Sequence, residues 1–273
     1  MRKSAILFLI IVGALSCTKV PITGRRQVNL LPESDLMKMS LAEYNKFLAQ
    51  HPLVPDTDPN TQLVKKVGKN VQIAVEKFMK GNAKYKKRIA GYKWIFNLTK
   101  DDKTINAWCM PGGKVMVYTG LLPVTQNETA LAVVMGHEIA HAIARHGNER
   151  MSQQMALETG GNVLSIAVSG TSKETQDIFN ISYGNVAGLG VLAYSRNHEL
   201  EADKLGLVFM AMAGYDPHET VAFWQRMAKE SKGAGLTILS THPSDEKRIE
   251  EIKKFMPKAL KYYKKPVTIT PNP

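Results

Sequence analysis

The sequence predicts an α+β domain that is mainly α-helical and contains a small β-sheet. Two long segments, 34–50 and 61–79, place their apolar residues at helical spacing. Between 92 and 118 the pattern changes, and aromatic and β-branched residues alternate around a Pro-Gly-Gly turn, which is typical of short strands. The apolar run 130–145 then returns to the helical period. A small sheet followed by a buried helix is therefore the expected centre of the domain.

The N-terminus has the pattern of an export signal. Arg2 and Lys3 precede an apolar run at 5–15 that is too short to span a bilayer. Cys17 follows a small residue, as in bacterial lipoprotein signals, in which the cysteine is acylated and becomes the first mature residue. We expect a signal peptide at 1–16, lipidation at Cys17 and a tether to a membrane surface. The alternative is an ordinary signal peptide with a coincidental cysteine.

Charge and cysteine content narrow the functional class. The chain has 36 Lys and Arg residues against 24 Asp and Glu residues, a net charge of +12. We expect a solvated basic face near anionic lipid headgroups rather than nucleic-acid binding, because an exported chain rarely meets nucleic acid.

If Cys17 is lipidated, Cys109 is the only thiol left. No intramolecular disulfide can then form, so the core must supply the stability.

The rest of the chain is expected to form one domain with a flanking segment at each end. We predict a turn-rich linker at 17–33, a main domain at 34–255 that can bury a sizeable core, and a C-terminal tail at 256–273. The last helix is expected at 245–255. Glycine-containing helical segments between 151 and 194 could cover a site or lie at a membrane surface.

The strands at 104–109 and 115–118 are expected to form a hairpin directly before the apolar helix. A hairpin in this place can present an edge to an extended peptide, which then binds by strand addition. Asn106, Ala107 and Trp108 would lie along that edge. We therefore assign Asn106 and Ala107 as candidate substrate-binding residues, with an ordinary structural hairpin as the equal alternative.

The stretch His137-Glu138-Ile139-Ala140-His141 carries the chemistry of the apolar helix. Residues four apart share a helix face, so the two imidazoles can bind a single zinc ion. Glu138 is rotated by about 100°, outside the ligand set but beside a metal-bound water that a general base could activate. This is the H-E-x-x-H pattern of zinc peptidases. The alternative is a buried helix with two incidental histidines.

A zinc site of this kind needs a third protein ligand, and a downstream acidic helix offers candidates. Glu199 and Asp203 are four apart and share a face, whereas Glu201 lies about 200° from Glu199. We assign Glu199 to the metal and Asp203 to a hydrogen bond with a zinc histidine, His137 being the first choice. His198 and Glu201 are expected at the surface or at the edge of the core.

Two motifs give the chain a family resemblance. HEIAH at 137–141 and SRNHELEAD at 195–203 resemble the CAAX-prenyl-protease/HtpX family of zinc metallopeptidases, whose downstream signature is S-R-x-x-E-x-x-A-D. Segments 105–122, 213–217 and 241–248 resemble its soluble periplasmic lipoprotein branch and the mitochondrial relatives of that branch. The resemblance implies a gluzincin-type metallopeptidase fold with a small β-sheet beside the HExxH helix, and it agrees with Glu199 as the third zinc ligand.

Four further residues could belong to the metal site or lie near it. The resemblance places the loop of His242 near the metal, where His242 could stabilise the oxyanion as a catalytic residue, occupy the fourth metal position as a gate, or only hydrogen-bond locally. Arg248 could contact substrate or pair with an acidic group. His146 is nine positions from His137, on the opposite side of the helix, and should not bind the same zinc. Cys109 raises a rival His₂Cys enzyme of the peptide deformylase type.

The motifs and the resemblance together imply a zinc-dependent endopeptidase that hydrolyses misfolded or unassembled cell-envelope proteins, with one Zn²⁺ per chain. The expected partners are those substrates and a membrane surface, reached through the lipid anchor, and no nucleic acid. The expected location is the bacterial periplasm, with a tether to the outer membrane. The alternative is a zinc-stabilised periplasmic chaperone or assembly factor with little proteolysis.

Overall fold

Helices account for most of the described residues, as the apolar spacing predicts. The computed structural model describes residues 17–158, 172–184, 195–230, 242 and 246–264. In chain order the elements are β1 (Cys17–Lys19), β2 (Arg26–Val28), α1 (Glu33–Gln50), α2 (Pro59–Lys80), β3 (Ile95–Thr99), β4 (Ala107–Met110), β5 (Lys114–Tyr118), α3 (Leu122–Thr125), α4 (Glu128–Ala144), α5 (His146–Glu158), α6 (Lys173–Phe179), α7 (Arg196–Met212), α8 (Glu219–Glu230) and α9 (Glu246–Leu260). The predicted mainly helical α+β class is confirmed.

Capping side chains set where two of the predicted helices begin. Helix α2 begins two residues earlier than the periodicity indicates, because the Asp58 side chain accepts hydrogen bonds from the N–H groups of Asn60 and Thr61. Helix α1 begins one residue earlier than predicted, directly after Pro32, so Ser34 lies in its first turn. Helix α4 begins after Asn127, whose side chain accepts the N–H of Ala130 at 2.8 Å.

A three-stranded sheet lies beside helix α4, in the order β3-β5-β4. Strands β4 and β5 form the predicted antiparallel hairpin, with Ala107 opposite Val117. Strand β3 runs parallel to β5, with Ile95 opposite Lys114. The small sheet beside the HExxH helix therefore agrees with the expected gluzincin-type architecture, and its outer strand β4 is the one that packs on α4.

Helices α4 and α7 cross at a pair of glycines. A Cβ added to Gly136 would lie 3.3 Å from the carbonyl oxygen of Gly206, and one added to Gly206 would lie 3.1 Å from the backbone nitrogen of His137. The two backbones approach this closely because neither position has a side chain. Every residue of α4 from Ala130 to Ala144 is buried, so its functional groups lie inside the protein.

Both ends of the predicted domain differ from the structure. The segment expected to be a linker forms a two-stranded antiparallel sheet, β1–β2, because Val20 beside it is fully buried in the main core. At the other end, helix α9 continues through Pro257 because its apolar face stays buried as far as Ala259. The boundary predicted at residue 255 therefore falls within a helix. Of the helical segments predicted between 151 and 194, residues 159–171 and 185–194 lie outside the described part of the chain.

Among the helices of the described residues, none combines the length and the apolarity that a membrane crossing requires. The core instead forms two clusters of buried side chains. The larger lies between the sheet and helices α2, α4, α7, α8 and α9, and the smaller lies where α1, α5 and α6 meet the sheet. Helix α4 belongs to the larger cluster.

Candidate metal centre

Four buried side chains bring their donor atoms to within 4.8 Å of one another. His137 and His141 come from helix α4, Glu199 from the first turn of α7, and His242 from the segment before α9. None of the four is more than 4% exposed. Helix α7 is held in place by Ser195, whose hydroxyl accepts the N–H of His198 at the helix start. Two helices and one further segment therefore build the site.

The donor atoms have the spacing of ligands around one cation. Nε2 of His137 lies 3.1 Å from Nε2 of His141 and 3.3 Å from Glu199 Oε2. Nε2 of His141 lies 3.3 Å from Glu199 Oε1. A four-coordinate cation with bonds of about 2.0 Å has neighbouring ligand atoms about 3.3 Å apart. Two imidazoles and a carboxylate thus fit three corners of a metal tetrahedron.

His242 lies at the fourth corner of that tetrahedron. Its Nδ1 is 3.0 Å from Glu199 Oε1 and 3.2 Å from His137 Nε2, and its Nε2 is 3.5 Å from Glu138 Oε1. A donor that faces the ligand atoms at these distances fits the fourth-position interpretation of His242. The oxyanion role would need its N–H to face a substrate carbonyl instead.

Asp203 and Arg248 support the metal ligands from behind. Asp203 Oδ1 lies 3.0 Å from His137 Nδ1, which leaves Nε2 to face the other donors. Arg248 donates to Asp203 from Nε at 2.6 Å and from Nη2 at 2.8 Å, and its Nη1 lies 3.2 Å from Glu199 Oε2. Its guanidinium carbon lies 3.6 Å above the Trp224 ring.

The predicted contact of Arg248 with substrate is wrong. Arg248 is 2% exposed, because its two carboxylate partners and the Trp224 ring enclose the guanidinium. A residue in that position orients the ligands and does not reach a substrate. The other alternative that the sequence left open, pairing with acidic groups, is the one in the structure.

The environments of Glu138 and Glu199 move their pKa values in opposite directions. Burial raises the pKa of Glu138, although the His242 and His137 rings oppose it. Burial also acts to raise the pKa of Glu199, but His242, Arg248 and His141 together hold it well below its ordinary value. Oε1 of Glu138 is buried and accepts no hydrogen bond from the described residues. Glu199 therefore stays ionised as a ligand, whereas Glu138 is suited to accept and return a proton.

The opposite face of α7 carries a second buried cluster, which the sequence did not predict. His146 Nδ1 lies 3.0 Å from His141 Nδ1, and His146 Nε2 lies 3.0 Å from Glu201 Oε2. Arg25 donates from Nε to Glu201 at 2.8 Å and binds both carboxylate oxygens of Glu149 at 2.7 Å. His141, one of the candidate metal ligands, is thus linked to the Glu201 carboxylate through His146.

Of the two positions expected for His198 and Glu201, the surface is wrong, since both residues are 5% exposed, whereas the edge of the core agrees with the structure. Glu201 also accepts the Thr23 hydroxyl, and His198 Nε2 lies 3.1 Å from Glu149 Oε2. The physical reason is that helix α5 and the turn between β1 and β2 cover this face of α7. His146 and Glu149, three positions apart on α5, were the signal in the sequence that could have indicated this cluster.

The remaining sequence candidates do not belong to the group of four donors. The side chains of Asn106 and Ala107 are buried, and Asn106 Oδ1 accepts the N–H of Ala107 at 2.9 Å. Any peptide would therefore have to bind their backbone groups. Cys109 is buried outside the donor cluster, and its burial raises the pKa of its thiol. A His₂Cys site of the deformylase type does not fit this arrangement.

Comparison with known proteins assigns the family. The model of peptidase family M48 matches residues 66–256. The chain is 32% identical over 245 residues to the mitochondrial metalloendopeptidase OMA1 of Schizosaccharomyces pombe, which covers 88% of this chain and 66% of that protein. It is 29% identical to metalloendopeptidase OMA1 of Homo sapiens, over 88% of this chain and 46% of that protein.

A bacterial relative shows the same likeness over a shorter segment. The chain is 31% identical over 162 residues to the beta-barrel assembly-enhancing protease of Yersinia pestis, which covers 57% of this chain and 33% of that protein. The chain thus spans less than two thirds of the length of these relatives. Since the family model covers more than half of the chain and the donor set lies within it, the chain belongs to peptidase family M48.

Proposed function

We propose that this chain is a zinc-dependent metalloendopeptidase that hydrolyses peptide bonds of misfolded or unassembled cell-envelope proteins. The observation that carries this proposal is the convergence of His137, His141 and Glu199 on one point, with Glu138 beside them. The M48 family and the printed names of the relatives, metalloendopeptidase and protease, support the reaction class.

Zinc is the cation that suits these donors best. Two imidazole nitrogens and one carboxylate oxygen form a known catalytic zinc set, and the ligand spacing agrees with zinc bond lengths of about 2.0–2.1 Å. When bound, zinc supplies Lewis-acid chemistry that polarises a carbonyl and lowers the pKa of water. Asp203 fixes the ring of His137, and His146 fixes the ring of His141, so that each presents Nε2 to the metal.

Glu138 is the proposed proton carrier. Its raised pKa allows it to take a proton from the attacking water and deliver it to the leaving nitrogen of the peptide. His242 holds the position that the attacking water needs. Movement of His242 away from Glu199 is therefore the step that opens the site, and we assign it a gating role.

The proposed location is the bacterial periplasm, with Cys17 acylated and tethered to the outer membrane. The basic residues and apolar run before Cys17 support export. The likeness to the beta-barrel assembly-enhancing protease of Yersinia pestis supports substrates among envelope proteins. The proposed partners are unfolded or misassembled envelope proteins and a membrane surface, and no nucleic acid.

The substitution Glu138→Gln tests the proposal. The variant should bind zinc at the wild-type stoichiometry but cleave unfolded casein about 10²–10⁴-fold more slowly, the contribution of a positioned general base. Glu250→Gln, an exposed position on α9, is the matched control and should keep full activity. A Glu138→Gln protein that cleaves casein at the wild-type rate would overturn the assignment. A variant that loses cleavage but keeps full function in cells would favour the chaperone alternative.

A further inference from the structure

A basic cleft lies beside the first strand, away from the metal donors. Its volume is about 440 Å³. Five cationic side chains line it, from β1, from the 84–88 region and from the end of α4: Lys19, Lys84, Lys87, Arg88 and Arg145. Among the described residues no carboxylate lines this cleft. The lining therefore has one sign of charge.

The three lysines keep their charges available. Lys19, Lys84 and Lys87 are all exposed, and within the described part of the chain no carboxylate pairs with any of them. Lys84 Nζ lies 5.8 Å from the centre of the Tyr85 ring, which also lines the cleft. Each ammonium group can thus turn toward an anion without breaking an ion pair.

Arg88 forms the fixed wall of the cleft. It is 7% exposed and donates to the carbonyl oxygens of Ile143 and Lys19 and to the Thr18 hydroxyl. Burial and the neighbouring Arg145 cation lower the pKa of Arg88 to about 10. Arg145 forms an ion pair with Glu33 at 3.0 Å, and Glu33 also acts to raise the pKa of Arg88. The cations of the cleft that remain available to a bound anion are therefore mainly the three lysines.

Size and position indicate the kind of anion. The volume falls within the range of about 300–1,000 Å³ that is usual for small-molecule sites and suits a phosphate with its attached glycerol. Lysine and arginine bind phosphate oxygens through charge-assisted hydrogen bonds. Lys19 lies two residues after Cys17, the residue at which an acyl chain would enter a bilayer.

We propose that this cleft binds the phosphate group of an anionic phospholipid. The site would hold the protein in one orientation on a bilayer, independently of zinc and of catalysis. A lipid chain at Cys17 would supply the attachment, whereas the cleft supplies the choice of headgroup.

Vesicle binding tests the proposal on the full chain. Sedimentation uses vesicles of equal parts phosphatidylglycerol and phosphatidylcholine, with phosphatidylcholine vesicles as the neutral reference. The double variant Lys84→Gln/Lys87→Gln should bind the anionic vesicles about thirtyfold more weakly, since each lysine near an anionic surface contributes a factor of about five. Both lysines are exposed, so the thermal unfolding midpoint should not change.

The double variant Lys103→Gln/Lys253→Gln is the matched control. It removes two exposed lysines outside the cleft and should change vesicle binding by about twofold or less, because distant charges are screened. All proteins share one N-terminus, so any contribution of the leader or an acyl chain cancels. Equal weakening in both double variants would overturn the proposal, as would wild-type protein that binds both kinds of vesicle equally.

A calorimetric titration separates lipid from free phosphate. Glycerol 3-phosphate should bind the wild-type chain and compete with anionic vesicles, whereas inorganic phosphate should bind more weakly because it lacks the glycerol. If inorganic phosphate instead bound as tightly as the vesicles and displaced the protein from them, the cleft would be a free-phosphate site and the lipid assignment would be wrong.

Discussion

The two faces of helix α7 carry similar clusters in different surroundings. On one face Arg248 bridges Glu199 and Asp203, and on the other face Arg25 bridges Glu149 and Glu201. The Arg248 side chain is 2% exposed, whereas the Arg25 side chain is 33% exposed. We name these groups the Arg248 cluster and the Arg25 cluster.

Each cluster supports one histidine of the metal site, but by a different route. Asp203 of the Arg248 cluster contacts His137 directly. Glu201 of the Arg25 cluster reaches His141 only through the intervening ring of His146. The Arg248 cluster therefore depends on core packing, whereas the Arg25 cluster depends on the β1–β2 hairpin at the N-terminal end of the described chain.

The largest expected effect is on stability. Arg248→Met leaves two carboxylates buried without their cation and should lower the free energy of unfolding by about 3–5 kcal/mol. Arg25→Met should lower it less, because solvent reaches that guanidinium and screens its ion pairs. Urea unfolding with a chelator present measures both, since chelation prevents a metal from compensating Glu199. Equal decreases in the free energy of unfolding of the two variants would show that the difference in burial does not affect how much each cluster stabilises the protein.

Zinc affinity gives the next largest expected effect. Asp203→Asn weakens the hydrogen bond that orients His137 and should lower zinc affinity by about 10–100-fold. Glu201→Gln should lower it less, because His146 separates that carboxylate from His141. Competition with a chromophoric chelator measures the two constants. A larger loss of zinc affinity in Glu201→Gln than in Asp203→Asn would contradict this ranking. It would mean that the contact through His146 supports the metal site more than the direct contact of Asp203 does.

The smallest expected effect is a pH dependence in the Arg25 cluster. Burial acts to raise the pKa of Glu149, but hydrogen bonds from Arg25 and His198 lower it to about 2 from an ordinary 4.5. Because the pKa is lower in the folded state, the ionised group stabilises the protein above pH 4.5, and this stability is lost as the pH falls toward 2.

Arg25→Gln should return the pKa of Glu149 toward its ordinary value and make that loss shallower. Unfolding free energies measured between pH 5 and 2.5, with a chelator present, test this expectation. Arg26→Gln, at the adjacent exposed position, should leave the slope unchanged. Parallel curves for the wild type and Arg25→Gln would mean that Arg25 does not hold the pKa of Glu149 down.

Local periodicity was enough to bring His137, Glu138 and His141 together, whereas His242 was placed by the family resemblance. His137, Glu138 and His141 lie in one unbroken helix, so their angular positions follow from the spacing alone. The same geometry separated Glu199 and Asp203 from Glu201 on α7. The fold class followed from the same change of period between helices and strands.

Long-range pairing could not be predicted in this way. His146 was placed on the far side of one continuous helix, but Arg145 has a left-handed φ of 62°, which ends α4 and turns the chain back toward His141. Glu201 meets Arg25 across 176 residues, and no local pattern in the sequence encodes that contact. The parallel pairing of β3 with β5 was missed for the same reason.

The glycine crossing of α4 and α7 has a consequence for the metal site. At Gly136 and Gly206 the distance between the helices is set by main-chain atoms in contact. The distance between the helix that carries His137 and His141 and the helix that carries Glu199 therefore depends on these two glycines. A side chain at either position would push the two helices apart and move Glu199 away from His137 and His141.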